Sequence, residues 1–167
     1  MAMKDALLPE FDHEMANTRK CLERLPDDRL EWRPHAKSQT FLSLGTHLAK
    51  VPLFGAQIAG STSVNFPAEA AGGWAEACHS RADVLAAFDR HVASARAAIA
   101  GLDDAGMMTP WTFNWNGHQV MQVPRVAALR SFVFSHIIHH RGQFTIYLRL
   151  NDIPMPGMYG PSADEAM

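Results

Sequence analysis

Residues 136–143 read HIIHHRGQ, three histidines in five positions among isoleucines. Imidazole suits a dry core only when something occupies its nitrogens. The stretch lies inside a helical pattern that opens at Pro124, a residue suited to a first helical turn, and runs to about Leu150. A helix turns about 100° per residue, which sorts the three by face. Taking His136 as the reference, Leu129, Val133, His140, Phe144 and Tyr147 lie within about 80° on one side. Phe132, Gln143 and Leu150 lie within about 40° on the other. His136 and His140 are thus expected in the centre of the apolar stripe. His139 falls about 60° away, at its solvent edge, and Arg141 about 140° away, leaving the site for the tail or a partner subunit. The i,i+4 spacing stacks two imidazoles where one ion can join them.

Working outward, the same test puts His47 inward on another helix, in the stripe Leu44, His47, Leu48, Val51, Phe54 and Ile58. That makes it the expected third ligand. The helix is predicted from a Ser38 cap to about Ala59, with Pro52 as a kink. A first helix is predicted over about Met3–Leu25, its regular part beginning near Pro9, and a third from a Ser80 cap to about Gly101. Residues 60–74 read as a loop by composition. In WTFNWNGHQVM, residues 111–121, Asn116-Gly117 between apolar runs signals a type I′ hairpin. These patterns predict an all-α, four-helix bundle with a small β-hairpin flap before the last helix, one domain over residues 1–167.

The other histidines are weaker candidates. His13 faces opposite Leu7, Phe11 and Leu22, His35 and His118 fall in loops, and His79 precedes a cap. His91 sits near inward beside Val84, Phe88 and Ala95, as a helix-edge residue or a fourth ligand. The position after His136 is Ile137, so the zinc-protease glutamate is missing.

Composition narrows the function classes. Hydrophobic residues make up 47% and charged residues 19% of the 167, an ordinary globular balance. A net charge of −2 with scattered arginines supplies no basic field for nucleic acid. No run of about 18 apolar residues suggests a membrane span, and the acidic start does not resemble a signal peptide. Two cysteines, Cys21 and Cys78, do not make a disulfide scaffold, so a cytoplasmic protein with reduced thiols is expected.

Two stretches resemble the DinB/YfiT-like family of small metal-dependent proteins, a damage-inducible family distinct from the DNA polymerase that shares the name. They are EWRPHAKSQTFLSLGTHLAK (31–50) and, more specifically, HIIHHRGQFTIYLRLNDIPMPGMYGPSADE (136–165), with its His-x3-His pair, HRGQ, YLR and YGPS. The resemblance implies a four-helix bundle that holds one divalent ion through His47, His136 and His140, commonly as a homodimer. It further implies a hydrolase or a transferase using a low-molecular-weight thiol such as bacillithiol, mycothiol or glutathione.

Three imidazoles suit a transition metal, zinc or nickel first, and leave a position open for chemistry. Gln143 is a candidate to hydrogen-bond a water on the ion, and Tyr147 to meet substrate or to pack. Trp111 and Trp115, with Phe113, are candidates for an apolar wall over the site. The alternative is a non-enzymatic, metal-stabilised bundle, a ligand-binding or dimeric interaction protein, with a fourth protein ligand closing the ion.

Overall fold

A computed structural model describes residues 1–67 and 78–166. It is mostly helical with a small three-stranded sheet. Helix α1 (Met3–Leu22) starts where the Asp5 carboxylate accepts the Ala2 N–H, so the helix begins ahead of Pro9 and runs through it. Helix α2 (Phe41–Gly60) is capped by Thr40, whose hydroxyl accepts the Ser43 N–H. The expected cap, Ser38, lies in the preceding turn. Helix α3 (Arg81–Ala100) is capped by Ser80 as expected. A short α4 (Asp104–Met108) comes next, capped by Asp103.

The predicted hairpin is present as β2 (Pro110–Trp115) and β3 (His118–Pro124). They join through Asn116 and Gly117 at φ 50° and 81°, the positive values a type I′ turn needs. The expectation of a two-stranded flap is corrected by β1 (Ser63–Phe66), which pairs parallel to β2. This strand lies within the stretch expected to be a loop. Its four residues alternate too briefly to signal a strand, and it is ordered by a partner distant in sequence. The rest of that loop expectation, from residue 68, falls outside the described residues.

The last helical rod has three parts: α5 (Arg125–Leu129), a π-helical segment (Arg130–Ser135) and α6 (His136–Leu150). The long helices meet in a closed ring, α2 on α3, α3 on α1, α1 on α6 and α6 on α2. Phe11, Leu22, Leu44, Leu48, Phe88, Ile99, Phe134 and Phe144 fill the space between them. Burying side chains of this size is worth about 1.5–3 kcal/mol each before entropy is counted, so the ring is a real core. Among the described residues no helix is long and apolar enough to cross a membrane. Cys21 and Cys78 are both buried and unbridged.

Two further features set the frame for the site. Arg125, buried at the start of α5, donates to the carbonyls of Ile58, Gly106 and Ser61, which ties the sheet end of the molecule to α2. The C-terminal tail folds back over α1, where Tyr159 donates to Glu14 at 2.7 Å.

Candidate metal centre

Helices α2 and α6 run antiparallel along one groove. Phe41 packs on Phe144 and Tyr147, His47 on His136 and His140, and Phe54 on Phe132. The His47 ring lies 4.9 Å from that of His136 and 4.3 Å from that of His140. One ring nitrogen from each of the three falls within 4.8 Å of the others. The Nε2 atoms of His47 and His136 are 3.0 Å apart. An ion about 2.0–2.1 Å from each nitrogen holds its ligand atoms about 3–3.5 Å apart, so the closest pair already stands at ion-binding separation.

Two of the rings are held so that Nε2 offers its lone pair inward. His136 Nδ1 donates to the Phe132 carbonyl at 3.3 Å, and His140 Nδ1 donates to Gln143 Oε1 at 2.8 Å. Burial also keeps the rings neutral. It pushes His47 down to about 4, helped by His140, His136 and Lys50. Burial lowers His136 and His140 as well, with the Phe132 carbonyl and Gln143 respectively acting against the shift. Neutral imidazoles with converging lone pairs are the donor set a borderline transition ion takes. On this geometry the residues present fit such an ion.

The histidines are half-buried, not core-centred as expected, and for His136 and His140 the π-helical segment is the reason. Ahead of it the buried positions are Arg125, Ala128 and Leu129, and within it Val133 and Phe134. Continued α-periodicity would bring 136, 140, 143 and 147 inward. The wider π turn takes in one extra residue, which rotates the downstream residues by about 100°. Ile137, Arg141, Phe144 and Leu148 therefore fill the core, while Tyr147 stays buried at its edge. His136 and His140 swing to the rim of that face, into the groove against α2.

A comparison with known proteins gives this arrangement a lineage. The family model described as DinB superfamily matches residues 10–144. The chain belongs to the DinB superfamily. It is similar to the uncharacterised protein YrdA of Bacillus subtilis strain 168, 27% identical over 166 residues, covering 96% of this chain and 90% of that one. Two solved structures share the fold. A DinB-like protein from Bacillus cereus ATCC 10987 aligns with a TM-score of 0.71 at 18% identity, over 95% of this chain and 98% of that one. A DinB-like protein from Bacillus subtilis aligns at 0.70 and 16%, over 92% and 96%.

Around the DinB histidines, the remaining candidates separate. His91 is not part of the group: its Nδ1 donates to the Ala49 carbonyl at 2.8 Å, which pins α3 to α2. His139 is exposed at the rim, and His13 is exposed and paired with Asn17. Gln143 is exposed too, and its amide oxygen is engaged by His140, a role the face calculation did not suggest. Tyr147 packs against Trp32 and Phe41 and donates to the Gln39 carbonyl at 3.1 Å.

Of the flap aromatics, Trp111 is fully buried behind Phe132. Trp115 is exposed at the end of β2, paired with His118. The aromatics beside the histidines are instead Phe54, 6.3 Å from the His136 ring, and Phe132, which stacks on Phe54 and meets Phe113. Phe54 and Phe132 were legible as helix-face residues, but their place at the site depends on the docked sheet.

Arg141 leaves the site as expected, yet it is only 2% exposed. Its guanidinium meets Glu14 Oε2 at 2.6 Å, the Glu14 carbonyl, the Thr18 hydroxyl and the Tyr159 hydroxyl. Glu14 was missed because one acid on a helix stripe carries no signal of its partner.

Proposed function

We propose that this protein is a DinB-type divalent-metal enzyme whose centre, His47, His136 and His140, activates water or a low-molecular-weight thiol on a small substrate. The observation that carries this reading is the convergence of three neutral imidazoles in a half-buried groove. No carboxylate or thiolate joins the group among the described residues. Three protein ligands on an ion that takes four or more leave room for a reactant. A divalent ion held there, zinc or nickel by its donor set, supplies the Lewis acidity that draws the proton from water or a thiol near neutral pH.

The chain's own residues do the rest. Phe132 and Gln143 orient two of the rings. Phe54 and Phe132 give the groove an apolar wall beside His136, suited to excluding water from a substrate's non-reacting part. The alternative of a closed, purely structural ion needs a fourth protein ligand, and the hold of Ala49 on His91 supports the open centre instead.

Three further features complete the proposal: one domain built as a four-helix bundle, a cytoplasmic location and a homodimer. The dimer is checked by light scattering on the purified chain.

Metal analysis joined to turnover tests the reading. Purified protein is expected to carry or take up one zinc or nickel ion per chain. The loaded form should transfer bacillithiol, mycothiol or glutathione to an electrophile, or hydrolyse a small amide or ester, with His136→Ala inactive. Uptake of no ion, or turnover equal in the wild type and His136→Ala, would overturn it.

A further inference from the structure

His136 and His140 are oriented by different means. The Phe132 carbonyl that accepts from His136 is backbone and cannot offer a donor in its place. The group that accepts from His140 is a side-chain amide, which has a donor end and an acceptor end. If that amide turned over, its NH2 would face Nδ1, the imidazole proton would move to Nε2, and the lone pair aimed at His47 and His136 would be lost. Something must therefore hold the amide with its oxygen toward His140.

His139 is placed to do so. Its Nε2 lies 3.1 Å from Gln143 Nε2, the nitrogen end of the same amide. With its own proton on Nδ1, the His139 ring accepts from that NH2 and favours the orientation that keeps the oxygen toward His140. The spacing makes this a surface chain on α6: His139 to Gln143 is i,i+4 and His140 to Gln143 is i,i+3, the two separations that bring helical side chains together. The His139 and His140 rings are themselves 4.9 Å apart, so the three groups form a closed triangle.

We propose that Gln143 is a positioning residue that fixes the tautomer of His140, and that His139 anchors Gln143 in the orientation the ion requires. The crowding of three histidines in HIIHH then has a division of labour: two bind and the third sets the proton on one of them. This inference rests on the three-histidine centre described above. It assigns to His139 a role in metal binding although His139 is not one of the three clustered histidines. An outer hydrogen-bond acceptor of this kind typically contributes about 10–100-fold in metal affinity.

Cobalt(II) serves as the probe, because its visible spectrum reports ligand geometry. Affinity is measured by competition with a chelator in the full chain and in Gln143→Leu, Gln143→Glu and His139→Ala. Gln143→Leu is expected to weaken cobalt binding about 10–100-fold and to shift the absorption bands, with the thermal midpoint of the metal-free protein unchanged. Gln143→Glu, which keeps an acceptor for Nδ1–H, should restore both affinity and spectrum. His139→Ala should show a smaller loss in the same direction. If the wild type binds cobalt and Gln143→Leu matches it in affinity and spectrum, the positioning role is overturned while the three-histidine centre stands. A Gln143→Glu variant as weak as Gln143→Leu also overturns it. If the wild type takes up no cobalt, both readings fall together.

Discussion

Helix α6 carries two polar clusters one residue apart in register, and they are opposites. Arg141 turns into the core against α1, where Glu14, Thr18 and Tyr159 take up its donors. His140 turns into the groove against α2, where its ring lies 4.3 Å from that of His47 and 4.8 Å from that of His136. The first cluster is a buried, hydrogen-bonded ion pair; the second gathers three neutral imidazoles, with His47 Nε2 hydrogen-bonded to His136 Nε2 at 3.0 Å. A satisfied buried pair stabilises a particular packing, whereas clustered neutral imidazoles can exchange their shared proton for a cation. The same helix thus anchors the fold with one face and presents the histidine cluster with the next.

The largest expected effect breaks the closed side. Arg141→Met leaves Glu14 buried without its cation, at a cost of about 3–5 kcal/mol. A drop in thermal midpoint of about 10 °C or more should result, read by circular dichroism. Zinc stoichiometry of the folded fraction should stay unchanged. Equal losses of stability and of metal would show that the two clusters are one unit.

The converse variant tests the open side. His136→Ala should lose more metal affinity than the roughly 10–100-fold typical of an outer partner, with little change in the metal-free midpoint. Zinc at 100 times its dissociation constant stabilises a protein by about 2.7 kcal/mol, so the wild-type midpoint should rise with zinc and that of His136→Ala should not.

Acid separates the two clusters further. Burial, then the neighbouring imidazoles, hold His47 near 4 in the folded protein, below the ordinary 6.5 it regains on unfolding. Between those values the unfolded chain binds the extra proton, so stability of the metal-free protein falls as pH drops from about 6.5 toward 4. Below about 4 this group adds no further loss. His136 and His140 are shifted in the same direction and steepen the slope. Denaturant titrations at several pH values check it, and a shallower profile in a His47→Leu variant would assign the share of His47.

The smallest change is expected from Tyr159→Phe. It removes the hydroxyl that donates to Glu14, which is worth about 1 kcal/mol, and should leave metal binding untouched.

Much of this was legible in the chain because periodicity reports burial. The Ser80 cap, the Asn116-Gly117 turn and the side of α2 that bears His47 all derive from local rules. The i,i+4 pair brought His136 and His140 to one face without any knowledge of the fold. What local rules missed was the π-helical segment: no proline or glycine marks RSFVFS, and its cost is met by tertiary packing. That single extra residue turned an expected core position into a groove. Strand β1 and the Glu14–Arg141 pair were hidden for a related reason, since each depends on a partner distant in sequence.

The proposed centre is an ion held by three imidazoles with room for a reactant. X-ray absorption at the metal edge of the zinc-loaded chain reads that coordination shell. Three imidazole nitrogens at about 2.0–2.1 Å are expected, with the remaining coordination supplied by exchangeable oxygen, and one imidazole fewer in His47→Ala. A shell closed by a fourth imidazole or a thiolate, or a spectrum unchanged in His47→Ala, would contradict it.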